Sequence, residues 1–105
     1  LVQLLQFAQW RLEGVSPWER DSIFAAMKGL SGQMGLKIRD FLAPLFIAIA
    51  GSSASISVID SMHMLGSDLS RARIRHALEV LGGISKKRMK DVEKAYAALG
   101  AVAQG

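Results

Sequence analysis

The sequence predicts an all-α domain, a compact bundle of five to six short helices. Three observations point there. Apolar residues recur at three- and four-residue spacing along almost the whole chain. Glycine and serine breaks separate one periodic stretch from the next. No run alternates apolar and polar residues with period two over a convincing length, so strands are not expected.

The elements follow in chain order. Leu1, Leu4, Leu5, Ala8 and Leu12 share one helical face, and Gly14 follows as a stop, so residues 1–14 form a lead-in helix. Ser16-Pro17-Trp18-Glu19 has the chemistry of a helix start. Ser16 is a cap, Pro17 suits the first helical position, and Glu19 reaches back to the Ser16 amide. Ile23, Phe24, Met27 and Leu30 carry that helix onward, and Gly29, Gly32 and Gly35 open a loop. A third helix is expected from about Leu36 to Ala50. Pro44 lies inside it without an amide to donate, which predicts a kink or a fresh start. Gly51 ends it, and Ser52 to Ser55 make a polar loop. A fourth helix covers about Ile56 to Leu65 and stops at Gly66. Ser67 or Asp68 caps the fifth, whose buried stripe is Ile74, Ala77, Leu78 and Leu81. Gly82 and Gly83 close it. Ser85 caps a sixth, with Met89, Val92, Tyr96 and Leu99 on one face and a frayed tail from Gly100 to Gly105.

With 105 residues, half of them apolar and 21% charged, the chain is read as a single domain over residues 1–105 with one core. Residues 84–105 are its C-terminal helix and tail. There is no cysteine, so disulfides, thiolate metal sites and thiol catalysis are excluded. The longest apolar run, Phe41 to Gly51, falls short of the roughly 20 residues that cross a bilayer, and no signal peptide is expected. The chain opens inside a hydrophobic pattern at Leu1 without an initiator Met, so a fragment of a longer protein is expected.

Charge is uneven. Residues 1–66 hold five basic and five acidic side chains; residues 67–105 hold eight basic and four acidic, so the whole net charge of +4 sits in the C-terminal third. A basic third suits a polyanion, nucleic acid above all, or simply a solvated helix face.

Catalytic constellations are absent. His63 and His76 lack neighbours at ligand spacing. No serine sits in a nucleophile elbow, and Gly29, Gly32 and Gly35 follow a helix rather than a strand. Asp60, Asp68, Asp91 and Glu93 show no acid–base pairing. Trp10, Trp18, Phe24, Phe41 and Phe46 have base-stacking chemistry, although aromatics at helical spacing usually belong to a core. These residues describe a small, basic, non-catalytic helical module and leave RNA binding and protein docking both open.

A resemblance goes further. Lys37-Ile38-Arg39-Asp40-Phe41-Leu42-Ala43-Pro44-Leu45-Phe46-Ile47-Ala48-Ile49-Ala50-Gly51 resembles the C-terminal domain of bacterial glutamyl-tRNA synthetase, which carries a Pro-Leu-Arg-x-Ala-[Leu/Val]-Thr-Gly run. A helix ending Leu65-Gly66 follows at matching spacing. Arg73-Ile74-Arg75-His76-Ala77-Leu78 is similar to the family's charged helix, and Trp18, Ile23 and Gly35-Leu36-Lys37 also fit. The resemblance covers about residues 15–80.

It implies the helical cage by which a class I aminoacyl-tRNA synthetase binds the anticodon arm. The parent enzyme would join glutamate to tRNA with ATP and magnesium, in a catalytic domain outside this chain. No cofactor is then expected in this chain itself. His63-Met64-Leu65-Gly66 and Ile84-Ser85-Lys86-Lys87 faintly resemble the ATP signatures of that class but fall inside the anticodon-domain pattern. The implied partner is tRNA of glutamate type, or of glutamine type, with no membrane; a monomer in the cytoplasm is expected. In the family, the loop after the Thr-Gly helix and the next helix start approach the third anticodon base; here those positions are Ser55, Ile56 and Val58. The family's anticodon-reading Arg is replaced by Phe46, its Thr by Ala50 and its loop Pro by Ile56. Arg donates several directional hydrogen bonds to a base edge, whereas Phe only stacks or packs. Lys37, Arg39, Arg71, Arg75, Lys86 and Lys87 are the basic residues expected on RNA, with Arg71 and Arg75 one turn apart on one face. The alternatives are a helical protein-interaction module and the equivalent domain of a class I lysyl-tRNA synthetase. The second lacks its expected Gly-Pro-Arg run at Ser52–Ile56.

Overall fold

The computed structural model of the protein describes residues 1–50 and 57–104. Six helices follow one another: α1 (Val2–Glu13), α2 (Arg20–Gln33), α3 (Ile38–Ala50), α4 (Val58–Leu65), α5 (Ser67–Val80) and α6 (Lys86–Gln104). No strand occurs among the described residues. The all-α prediction therefore holds, at the upper end of its helix count.

One core joins the helices. Phe7 and Leu12 from α1, Ile23, Met27 and Leu30 from α2, Phe41, Leu45 and Ile49 from α3, Met62 from α4 and Ile74 from α5 are all essentially inaccessible to solvent. Each such side chain contributes about 1.5–3 kcal/mol by leaving water. Their spacing along each helix is three or four, so each helix buries a single stripe. α1 packs on α5 and α2, and α3 lies across α2, α4 and α5. α6 rests on α2. It is also pinned to α1 through Tyr96, whose ring centroid lies 5.2 Å from those of Phe7 and Trp10. Arg11 Nε donates to the Tyr96 hydroxyl at 3.1 Å, and Arg11 Nη2 donates to Gln33 Oε1 at 2.6 Å.

Most departures from the sequence reading are at helix ends. α2 begins at Arg20, with Glu19 at its N-cap and no side-chain cap. The capping box expected from Ser16 does not form, and the segment makes other bonds instead. The Trp18 indole N–H donates to the Met62 carbonyl at 3.0 Å, and the Glu19 amide donates to Pro17 O at 3.0 Å. Glu19 is extended as a result, at φ −127° and ψ 158°. Gly29 and Gly32 do not open a loop; they are solvent-facing turns of α2, while Met27, Leu30 and Ser31 hold the opposite face. The chain reverses instead at Gly35, whose φ of +73° suits a residue without Cβ.

α3 starts at Ile38 and runs through Pro44 to Ala50 without a fresh start. Its closing loop, with Gly51 to Ile56, lies outside the described residues. α4 starts two residues later than expected, at Val58. Ser57 caps it: its hydroxyl oxygen accepts from the Asp60 amide at 3.1 Å and its O–H donates to Asp60 Oδ2 at 3.0 Å. Neither Ser67 nor Asp68 caps α5. Gly66, at φ +87°, takes that place, and its carbonyl accepts the Ser70 amide at 3.1 Å. Leu81 is exposed rather than part of the α5 stripe, because it lies past the last helical residue. Ser85 does cap α6, accepting the Arg88 amide at 3.2 Å. The helix then continues past Gly100 to Gln104; one Gly inside a helix costs only about 1 kcal/mol.

Candidate nucleic-acid interface

α3 turns its two flanks to different uses. Phe41, Leu45 and Ile49 point into the core, and Ile38, Leu42 and Phe46 are half-buried beside them. This second row forms one wall of an open groove of about 670 Å³. Phe24 of α2 and Val58 at the start of α4 line it as well. Arg39 and Ser57 are its polar lining residues.

The groove collects three of the site residues expected from sequence: Arg39, Phe46 and Val58. Phe46 both packs against the core and lines the groove. Val58, at 4% exposure, is a core residue whose side chain offers almost no surface to a base. It lines the groove as part of its wall. Ser57 spends its hydroxyl on capping α4, so it has no free proton for a base edge. Lys37 is exposed just ahead of α3 but does not line the groove. Ser55 and Ile56 lie outside the described residues.

Sequence spacing placed Phe24 with the core stripe of α2, and this is not where it sits. Ile23, Met27 and Leu30 fill that stripe, whereas Phe24 is rotated about 100° from Ile23 by the helix and is 40% exposed. Lys28, four residues on, places its Nζ 6.0 Å from the Phe24 ring centroid. Spacing alone carried no signal for this, because Ser31, seven residues on and on nearly the same azimuth, is buried.

The expected basic face separates. Arg71 is turned inward, with its side chain 23% exposed. Its Nη2 lies 2.9 Å from Asp68 Oδ1, its Nη1 3.8 Å from Glu13 Oε1, and its Nε donates to Ser67 Oγ at 3.2 Å. Arg73 is also engaged, since its Nη1 donates to the Ile49 carbonyl at 2.6 Å. That bond satisfies a C-terminal carbonyl of α3, which has no basic residue in its own last turn. Arg75 is exposed and makes no ion pair among the described residues, including with Glu79. Lys86 and Lys87 are exposed in the first turn of α6. Arg75, Lys86 and Lys87 do not line the groove. Arg20 is paired with Asp60, which ties α2 to α4.

A second cavity of about 370 Å³ lies at the start of α1. Leu1, Leu5, Pro44, Ile47, Val80 and Leu81 make it apolar, with Arg73 and His76 at its border. Among the described residues no three His, Cys, Asp or Glu side chains gather as a metal site. No helix there is long and apolar enough to cross a membrane.

Comparison with known proteins adds to this geometry. Residues 1–78 match the family described as anticodon binding domain; the match ends inside α5, ahead of α6. The chain is 59% identical over 97 residues to a glutamate–tRNA ligase of Cellvibrio japonicus, covering 92% of this chain and 19% of that protein. It is 62% identical over 97 residues to a glutamate–tRNA ligase of Saccharophagus degradans, with the same two shares. Against a glutamate–tRNA ligase of Marinomonas it is 59% identical over 99 residues, 94% of this chain and 20% of that one. The chain thus spans about a fifth of the length of the curated relatives it matches.

Proposed function

The chain belongs to the anticodon-binding domain family, and from that premise we propose that it holds the anticodon arm of tRNA for a glutamate–tRNA ligase. The observation that carries this is the groove. Phe46, half-buried, and Arg39, two turns earlier on the same face of α3, both line it. An unpaired base needs an apolar face to stack on, and its phosphate needs a cation. The relatives' shared name supports glutamate-type tRNA as the partner. Phe46 in place of an arginine extends the proposal to glutamine-type tRNA, since an aromatic ring does not read the base edge.

In the parent reaction ATP and magnesium drive the joining of glutamate to tRNA, and we place both outside this chain. Its described carboxylates do not converge into a metal site, and Asp60 and Asp68 are committed to Arg20 and Arg71. The chain's own part is to bind and orient RNA as a monomer in the cytoplasm. The test is titration with glutamate tRNA across a salt series. The expected result is saturable binding whose logarithmic salt slope reports several phosphate contacts. Binding that ignores salt, or none at all, overturns the proposal.

One observation favours a protein contact as well. The second cavity is lined mainly by apolar side chains, and Ile47, Val80 and Leu81 in its lining are exposed. Such a patch suits a neighbouring domain of the same enzyme.

A further inference from the structure

We propose that Phe24 of α2 is a base-stacking residue of the groove, with Lys28 beside its ring as a phosphate contact, so that a single-stranded RNA segment is gripped from α2 as well as from α3. This rests on the anticodon-arm reading above. Phe24 is not among the buried core residues of its helix and leaves 40% of its surface in water. Its ring lines the same groove as Phe46. Two aromatic rings from two helices line one groove, and nucleobases are the flat, apolar-faced groups that such a groove accepts.

Charge fits the same occupant. Lys28 stands over the Phe24 ring, and Arg39 lines the groove from α3. Lys28 makes no ion pair among the described residues. A base stacked on an aromatic ring places its own phosphates within reach of a nearby ammonium, and the ring and the cation act on one nucleotide. The lining holds few donors free for a base edge, because the Ser57 hydroxyl is occupied. The pair therefore adds affinity for any base rather than selectivity for one.

The experiment titrates the protein with a glutamate-tRNA anticodon stem–loop carrying 2-aminopurine in the loop. Phe24→Ala is expected to weaken binding about 5- to 150-fold and to relieve the quenching of 2-aminopurine. Phe24→Leu, which keeps apolar volume and folding but loses the aromatic face, is expected to do the same, and Phe24→Trp to restore both readouts. Lys28→Gln is expected to lower the salt slope by about one. Unchanged affinity and quenching in a folded Phe24→Ala or Phe24→Leu variant overturns the inference and leaves the exposed ring to a protein contact. It would leave the anticodon-arm reading standing. If the unaltered protein fails to bind the stem–loop, that reading falls and the inference with it.

Discussion

Arg71 and Arg75 are one turn apart on α5, yet they should behave differently toward RNA. Arg71 is enclosed by Asp68, Glu13 and the Ser67 hydroxyl. To reach a phosphate it must leave all three, and the two carboxylates it abandons would then repel that phosphate. Arg75 has no such commitments among the described residues. Each phosphate neutralised releases about 0.7 to 0.9 of a counterion. Arg75→Gln should therefore lower the slope of log affinity against log salt by about 0.7 to 0.9. Raising salt from about 50 to 200 mM is a fourfold change, so the unaltered protein should lose about threefold more affinity over that range than the variant. Arg71→Gln should change the slope by well under half as much, and the double variant should match Arg75→Gln alone. Fluorescence anisotropy of labelled tRNA at several salt concentrations measures all three. A slope loss from Arg71→Gln equal to that from Arg75→Gln would refute the reasoning, because it would mean the ion pairs with Asp68 and Glu13 do not hold Arg71 back.

Three other outcomes follow from the packing. Phe46→Arg should raise discrimination between stem–loops that differ only at the third anticodon base, toward the about 1–3 kcal/mol of a bidentate contact; equal binding of both by the folded variant counts against Phe46 facing RNA. Phe41→Ala should cost about 3–5 kcal/mol, since the ring is fully buried among core side chains, and urea unfolding followed by circular dichroism measures it. Ser57→Ala should cost about 1 kcal/mol through loss of the α4 cap, seen as faster amide exchange at the start of that helix with the other helices unchanged.

Helix order and the core were legible because both follow from local periodicity. Ile23, Met27 and Leu30 in α2, or Phe41, Leu45 and Ile49 in α3, can only share a face if the chain is helical there, and burial follows. Helix ends were less legible, because a cap competes with partners far away in sequence. Ser16-Pro17-Trp18-Glu19 has every local mark of a helix start, yet the helix begins at Arg20 and the Trp18 indole bonds to Met62, 44 residues on. The basic third suffers from the same blindness. Formal charge counts Arg71, Arg73 and Arg75 alike, whereas the fold gives the first to Asp68 and Glu13, the second to the Ile49 carbonyl, and leaves the third to solvent. No spacing rule shows which carboxylate or carbonyl a distant arginine will meet.

If the groove holds RNA as proposed, its composition separates how tightly it binds from which RNA it prefers. Stacking on Phe24 and Phe46 draws on the π-face that every base has, so it scales affinity for all sequences together. Preference between bases needs directional donors or acceptors at the base edge. Arg39 can supply donors, whereas the Ser57 hydroxyl is spent on its helix. Substitution at Phe24 should therefore move the binding constants of matched and mismatched stem–loops by the same factor and leave their ratio alone. Substitution of Phe46 by arginine should move the ratio, since it exchanges a face for an edge-reading fork. The two positions line one groove, yet the quantities they control are independent, and measuring both constants for both variants tells stacking from reading within a single site.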